Sequence, residues 1–308
     1  MSASCVLSAR LLGKRYGRRW ALEQCDLDIP AGHVVGLVGP NGAGKTTLLH
    51  LAVGLLSPSA GSIEVLGRAP SDNPAQLARV GFVAQDTPTY GRLSVEDHLA
   101  MGAQLNPGWD EPLARQRIDE LDLDPGQRAG TLSGGQRAQL ALTLAVAKRP
   151  EFLVLDEPVA SLDPLARREF LQSLMEVVAE HGVSVVLSSH LVADLERVCD
   201  YLVVLVSSRV QVAGEVEDLL AMHHRLSGPR HDTARLPADL HVIEESHTDR
   251  QSTLFVRCDG PVLDPSWTVE NVNLEDVVLA YMGQAGGGTR KRQRRGADAP
   301  VTNLDVAR

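Results

Sequence analysis

The fold is decided by the stretch Gly39-Pro40-Asn41-Gly42-Ala43-Gly44-Lys45-Thr46-Thr47, which fits the GxxxxGK[ST] pattern of a phosphate-binding loop. The apolar run 33–38 before it predicts a buried strand, and residues 47–53 after it predict the opening of a helix. In that context the glycines let backbone N–H groups point inward around phosphates, and the helix N-terminus adds its positive dipole end. Lys45 supplies a positive charge and Thr46 a hydroxyl group for Mg²⁺. The stretch therefore predicts a site for a nucleoside triphosphate.

The composition is that of an ordinary soluble globular protein, with 308 residues of which 44% are hydrophobic and 22% charged. This length allows one large domain and a smaller one. The net charge of −9 argues against a protein that coats nucleic acid, so no nucleic acid partner is expected. No apolar run approaches the ~18–20 residues that cross a bilayer, and residues 1–10 lack the features of a secretion signal. Four scattered cysteines predict reduced thiols in a cytoplasmic protein.

Apolar strands alternate with helices over most of the chain. Strands are predicted at 61–67, 79–84, 152–156 and 183–187, helices within 94–123 and over 164–181, and a hairpin over 201–213. The run Pro107-Gly108-Trp109 predicts a break in the first helical region. This alternation predicts an α/β fold with a mostly parallel sheet covered on both faces.

Beyond Leu219 the character of the sequence changes. Residues 221–283 predict a small α+β unit, with Ser227-Gly228-Pro229 as a flexible joint near its start. Its predicted elements are strands at 240–243 and 253–257 and a helix at 274–282. Residues 284–308 are glycine-rich and then basic, which predicts a disordered tail, with contact to an anionic membrane surface as the alternative.

Two further motifs narrow the class of nucleotide-binding protein. In Leu132-Ser133-Gly134-Gly135-Gln136, Ser133 stands where a helix N-cap is expected, and the small residues after it let a ligand approach the backbone. One helix later an apolar strand ends in the acids Asp156 and Glu157, which places one carboxylate at a metal and one beside it.

With these motifs in this order, residues 5–220 resemble the nucleotide-binding subunit of ATP-binding cassette (ABC) transporters, of the bacterial exporter type. The resemblance implies an ABC ATPase domain over 1–220. It also implies an α/β fold with a phosphate-loop NTPase core, an antiparallel β subdomain, a helical signature subdomain and a small C-terminal α+β appendage. ATP and Mg²⁺ are the implied cofactors.

The resemblance assigns nucleotide-binding roles. Tyr16 resembles the aromatic residue that stacks on adenine, although it could instead pack against the first sheet. Lys45 would contact the β- and γ-phosphates, and Asp163 resembles the loop that communicates across a dimer. The remaining implied contacts are Gly39, Pro40, Asn41, Gly42, Ala43, Gly44, Thr46, Thr47, Ser133, Gly134, Gly135 and Gln136.

The resemblance assigns catalytic and metal roles as well. Glu157 would be the general base, and His190 would contact the γ-phosphate, although a lone histidine is more often part of a core. Gln85 would sense the metal and the attacking water. Thr46, Gln85 and Asp156 form the implied Mg²⁺ set, and Lys45 completes the catalytic set. Hydroxyl residues that the family usually carries are replaced by Val159 and Ala160, which predicts a tuned rate and not a loss of activity.

The family works as a head-to-tail dimer, in which each signature helix completes the ATP site of the other subunit. The implied partners are therefore a second ATPase subunit, identical or not, and separate membrane-spanning permease subunits. The segment Gln85-Asp86-Thr87-Pro88-Thr89-Tyr90 is predicted to receive the permease. The implied location is cytoplasmic, at the inner face of the cell membrane.

Export is favoured because residues 106–110 and 223–230 look similar to exporter ATPases of bacterial operons. Importer ATPases remain possible, although their extensions are usually larger than the ~60 residues available here. A soluble ABC ATPase of DNA repair, chromosome handling or translation is the alternative function, and no coiled coil or second phosphate loop supports it. A module that holds ATP without turnover would not need Glu157 and His190.

Overall fold

The computed structural model describes residues 5–70, 73–86, 89–230, 240–258, 260 and 265–283. The chain divides into two compact units, Met1–Leu219 and Leu220–Arg308. The tail predicted over 284–308 lies outside the described residues. Within them, no helix is both long and apolar enough to cross a bilayer.

The first unit is built from two sheets and a set of helices. Its strands are β1 (Cys5–Tyr16), β2 (Arg19–Pro30), β3 (Val34–Val38), β4 (Ala60–Val65), β5 (Val80–Val83), β6 (Phe152–Asp156), β7 (Ser184–Ser188), β8 (Tyr201–Val206) and β9 (Arg209–Glu215). Its helices are α1 (Lys45–Ala52), α2 (Pro74–Ala78), α3 (Val95–Leu105), α4 (Glu111–Glu120), α5 (Gly134–Val146), α6 (Pro164–His181) and α7 (Val192–Leu195), and α8 (Val216–Met222) runs across the division.

The larger sheet has the strand order β5-β6-β7-β3-β8-β9, and all neighbours are parallel except β8 and β9. Every residue of β3, β6 and β7 is buried, as expected for strands covered on both faces. Because β3, β6 and β7 are parallel neighbours, the segments that follow them emerge at one edge of the sheet. The phosphate loop, the Asp156-Glu157 pair and His190 are those segments. The α/β fold expected from the sequence is confirmed.

The second sheet is antiparallel, in the order β2-β1-β4. Its inward side chains share one core with α1 and with the central strands of the larger sheet. This packing fixes the β1–β2 turn next to the phosphate loop, since the carbonyl oxygen of Ala21 lies directly against Gly44. The antiparallel β subdomain is therefore present.

Helices α3, α4 and α5 form a separate helical subdomain around a core that includes Leu99, Ile118 and Leu140. The predicted break falls between α3 and α4, where Asp110 accepts a hydrogen bond from the Leu113 N–H and caps α4. A capping box starts α5. These elements fit the helical subdomain expected to carry the signature motif.

The second unit is a four-stranded antiparallel sheet followed by helix α9 (274–283). Its strands β10 (His223–Pro229), β11 (His241–His247), β12 (Gln251–Arg257) and β13 (Thr268–Asn271) have the order β11-β12-β10-β13. The prediction of a flexible joint at Ser227-Gly228-Pro229 was wrong, because these residues belong to the interior strand β10 and pair with β12. Gly228 is needed for close packing, since a Cβ there would lie 2.9 Å from the ring of Trp267.

Candidate functional site

The phosphate loop joins β3 to α1, as the sequence predicts. Gly44 has φ +112°, and a Cβ there would collide with the carbonyl oxygen of Ala21, so only glycine fits. Lys45 begins α1 and is 5% exposed. Its ammonium group donates a hydrogen bond of 2.8 Å to the carbonyl oxygen of Gly39, which fixes the charge inside the loop.

Two acids follow β6, and one serine links them. The Oγ of Ser188 donates a 2.7 Å hydrogen bond to Oδ1 of Asp156 and accepts one of 2.8 Å from the N–H of Glu157. Asp156 is buried, while the side chain of Glu157 is 12% exposed. Glu157 also has φ +45°, a backbone conformation that costs energy for a residue with a side chain and that is common at functional sites.

The Glu157 carboxylate lies between two basic groups. Its Oε1 is 3.4 Å from Nζ of Lys45, and its Oε2 is 3.1 Å from Nδ1 of His190. His190 follows β7 and is exposed. Segments that are far apart in sequence, after β3, β6 and β7, thus meet at one point.

These groups line one cavity of about 780 Å³. Of the predicted site residues, the cavity is lined by Tyr16, Asn41, Gly42, Gly44, Lys45, Thr46, Thr47, Gln85, Glu157 and His190. Tyr16 is 51% exposed at the end of β1, with the Lys14 ammonium 5.6 Å from its ring centre. It is therefore not packed in the core beneath the antiparallel sheet β2-β1-β4. The volume falls within the range that holds a nucleotide-sized ligand.

The signature residues are not part of this cavity. Ser133, Gly135 and Gln136 line a different cleft, between α4, α5 and α6. Ser133 accepts a hydrogen bond from the Gln136 N–H, and the Gln136 side chain accepts one from the Ser133 N–H. Asp163 caps α6, accepting hydrogen bonds from the N–H groups of Leu165 and Ala166. One chain therefore presents the two halves of the predicted site on separate surfaces.

The sequence did not reveal two residues of the site. Arg19 is the first residue of β2, is exposed, and lines the cavity beside Gly42. Ser188 bridges the two acids from 31 and 32 positions away. The sequence indicates His190, but nothing in its pattern shows which of the two preceding hydroxyls, Ser188 or Ser189, faces the acids.

The cavity residues fit a bound Mg²⁺ ion. Thr46 offers a hydroxyl and Gln85 an amide oxygen at the cavity wall, and the buried Asp156 ends β6 directly before Glu157 of the cavity lining. No group of three or more His, Cys, Asp or Glu side chains that could hold a metal lies within the described part of the chain. Mg²⁺ does not require one, since it is usually held by one or two carboxylates together with substrate phosphates and water.

Comparison with known proteins gives the family of this chain. The family model described as ABC transporter matches residues 22–160. The uncharacterised ABC transporter ATP-binding protein YxlF of Bacillus subtilis (strain 168) is 33% identical over 220 residues, covering 70% of this chain and 72% of that protein. A solved ATP-binding subunit of an ABC transporter superposes with a TM-score of 0.63 and 28% identity, covering 70% of this chain and 92% of the other.

Two relatives match nearly the whole chain. The sulfate/thiosulfate import ATP-binding protein CysA 1 of Agrobacterium fabrum (strain C58 / ATCC 33970) is 31% identical and covers 96% of this chain and 86% of its own length. The Nod factor export ATP-binding protein I of Cupriavidus pinatubonensis (strain JMP 134 / LMG 1197) is also 31% identical, and the match covers 91% of this chain and 92% of that protein. This chain belongs to the ATP-binding subunits of ABC transporters and is an ATPase of that family.

Proposed function

We propose that this chain hydrolyses Mg²⁺-ATP in the cavity formed by the phosphate loop, Tyr16, Gln85, Glu157 and His190, and thereby energises export through separate permease subunits. The observation that carries the proposal is the convergence of Lys45 and His190 on the Glu157 carboxylate, with nitrogen–oxygen distances of 3.4 Å and 3.1 Å, in the lining of one cavity. Structural packing alone does not require a strained glutamate held between two basic groups.

Each group has a separate task in the proposed reaction. Lys45 and the N–H groups at the start of α1 hold the β- and γ-phosphates, because that helix end carries a partial positive charge. Glu157 is the general base that accepts a proton from the attacking water. His190 donates a hydrogen bond to the γ-phosphate, and Tyr16 stacks on adenine at the outer end of the cavity.

Mg²⁺, when bound, neutralises charge on the phosphate oxygens. Thr46, Gln85 and Asp156 are the residues that would hold it. The Ser188 hydroxyl keeps the Asp156 carboxylate fixed by a 2.7 Å hydrogen bond.

A dimer is supported by the separation of the two half-sites. Ser133 and Gly135 line a cleft that shares no residue with the cavity that holds Lys45. We therefore propose a head-to-tail pair in which the signature helix of one copy closes the cavity of the other. ATP binding favours the closed pair, and hydrolysis releases it.

An apolar groove is the proposed docking surface for the permease. It is lined by β5 and by α3 and α5, and exposed leucines stand at its rim, among them Leu55 (62%), Leu77 (45%) and Leu105 (72%). The groove begins at Ala84, directly before Gln85, so a helix seated there would lie beside the cavity residue. Of the segment predicted to receive the permease, residues 87 and 88 lie outside the described part.

The direction of transport that we propose is export. It is supported by the Nod factor export protein, which this chain matches over 91% of its own length and 92% of that protein. Relatives that import sulfate or phosphonates have similar identities, so import is the competing direction. Transport by inside-out vesicles that contain the copurified permease separates the two, since only an exporter accumulates substrate inside such vesicles on addition of ATP.

The experiment that tests the function is copurification. Tagged Glu157→Gln protein is incubated with ATP and detergent-solubilised native membranes, and bound proteins are identified by mass spectrometry. A polytopic membrane protein recovered in near-equal amount supports the proposal. As a positive control, an unrelated tagged ABC ATPase should recover its own permease from the same extract. If that control succeeds and the tagged chain is recovered only as a dimer, without a membrane protein, the proposal is contradicted.

A further inference from the structure

A second cleft lies beside the signature residues and has an acidic lining. Its volume is about 420 Å³, and it is enclosed by α4, α5 and α6. The carboxylates of Glu120, Glu169 and Glu176 line it. Two of these acids accept hydrogen bonds from glutamines on their own helices, Glu120 from Gln116 and Glu176 from Gln172, and these neutral amides add no positive charge to the cleft.

A buried hydrogen-bond acceptor in the wall of this cleft has no partner. Gln139 on α5 is 7% exposed, and its Oε1 accepts no hydrogen bond within the described residues. Buried polar groups are nearly always satisfied. The Gln139 Oε1 atom exposes less than 1 Å² of surface, so a ligand in the cleft that donates N–H groups reaches it once the amide turns outward.

The one buried cation in the lining does not neutralise it. Arg117 is 7% exposed, and its guanidinium donates hydrogen bonds to the hydroxyls of Ser173 (2.9 Å) and Thr143 (3.4 Å). Burial lowers the pKa of Arg117, and nearby Glu120 and Glu176 oppose that shift. Three carboxylates against one guanidinium leave the cleft negative, so a cationic N–H donor fits it.

The chain itself carries exposed arginine guanidinium groups next to its ATP cavity. The basic turn, defined as Lys14-Arg15-Tyr16-Gly17-Arg18-Arg19, joins β1 to β2. Arg15, Arg18 and Arg19 are exposed, and no carboxylate within the described residues forms an ion pair with any of them. The turn reaches the cavity through Tyr16 and Arg19, while the acidic cleft adjoins Ser133 and Gly135.

We infer that the acidic cleft of one copy binds the basic turn of a second copy, with arginine guanidinium groups pairing with Glu169 and Glu176 and, once the Gln139 amide turns outward, donating to its Oε1. This inference rests on the proposed function, because it assumes the head-to-tail pair. When the signature residues of one copy close the cavity of the other, their two flanking surfaces of opposite charge come together. The contact holds the pair in register through side chains that do not touch ATP.

The test is charge reversal in the full chain carrying Glu157→Gln, with saturating Mg²⁺-ATP and the dimer dissociation constant measured by sedimentation. Arg15→Glu/Arg18→Glu should weaken the dimer by about tenfold, and so should Glu169→Lys/Glu176→Lys. The chain that carries all four reversals should recover to within about threefold of the parent, because both contacts are restored. Arg19 stays unchanged, since it lines the cavity. Glu64→Lys, at an exposed glutamate of β4 outside the cleft lining, is the matched control and should have no effect.

ATP affinity of each monomer is measured alongside, by fluorescent nucleotide binding at low protein concentration. Equal dimer dissociation constants for all variants with unchanged ATP affinity would overturn the contact and leave the proposed function standing. Weakening in both double reversals without recovery in the fourfold reversal would also overturn it, because the two surfaces would then act independently. A Glu157→Gln parent that binds ATP and stays monomeric would overturn the head-to-tail pair itself.

Discussion

At the scale of single residues, the site depends on a few hydrogen bonds between segments that are distant in sequence. Lys45 donates to the carbonyl oxygen of Gly39 and lies 3.4 Å from Glu157. Lys45→Ala removes the only positive charge that the loop contributes, so ATP affinity should fall by at least about tenfold. Nucleotide titration followed by calorimetry measures this, with folding checked by circular dichroism. An unchanged affinity would remove Lys45 from phosphate binding.

Ser188 gives a second test at this scale. Its hydroxyl orients Asp156 and the Glu157 backbone together, so Ser188→Ala should lower kcat by about tenfold or more and leave ATP affinity nearly unchanged. Ser189→Ala is the matched control, because the neighbouring hydroxyl is equally buried and bonds only within 189–191. Equal rates in steady-state assays of the two variants would show that the bridge is not needed.

The sequence predicted most site residues because phosphate loops and acid pairs have fixed local patterns. It did not reveal Arg19 or Ser188, since their place in the site is set by packing between β2, β6 and β7. A hydroxyl at the end of a buried strand can face either side, and only the register of neighbouring strands decides which.

At the scale of elements, the caps of the helical subdomain make its stability depend on pH. The pKa of Asp110 is lowered mainly by the hydrogen bond from the Leu113 backbone N–H and, to a smaller extent, by the hydrogen bond from the Arg149 side chain. Folding therefore favours the ionised form of Asp110. The resulting contribution to the free energy of unfolding is fully present above the unfolded pKa of about 4 and is lost as pH falls through the lower pKa of the folded state. Asp110→Ala should cost about 1 kcal/mol at pH 7.

Urea unfolding of both proteins from pH 7 downward checks this prediction. The difference in the free energy of unfolding should shrink below about pH 4, where Asp110 becomes protonated in the unfolded chain first, and should reach its minimum once Asp110 is protonated in the native chain as well. A difference that stays constant down to pH 3 would show that the Asp110 carboxylate does not stabilise the fold through its charge.

Predicted and observed elements agree where hydrophobic periodicity is strong, as in β3, β6, β7 and α6. Strand β10 was missed because its glycine and proline are locally typical of a turn. It is stabilised by pairing with β12 and β13, which lie far along the chain, and by Trp267 against Gly228. Tertiary pairing of this kind has no local signature.

At the scale of the whole molecule, we assign permease binding to the apolar groove and ATP binding to the cavity, so a substitution in the groove should change only the first. Leu105→Glu places a charge at the rim of the apolar groove, so it should abolish copurification of the permease while leaving ATP affinity unchanged. Leu11→Glu, at a similarly exposed leucine outside the groove, is the control and should copurify normally. Normal recovery with Leu105→Glu would place the permease elsewhere.

The central claim is that Glu157 is the general base of an ATPase, and its most direct test is hydrolysis by Glu157→Gln. The amide keeps the shape of the side chain but cannot accept the proton. Under saturating Mg²⁺-ATP we predict a fall in kcat of about 100-fold or more, with ATP affinity retained in the same preparation. Turnover at the wild-type rate would contradict the account.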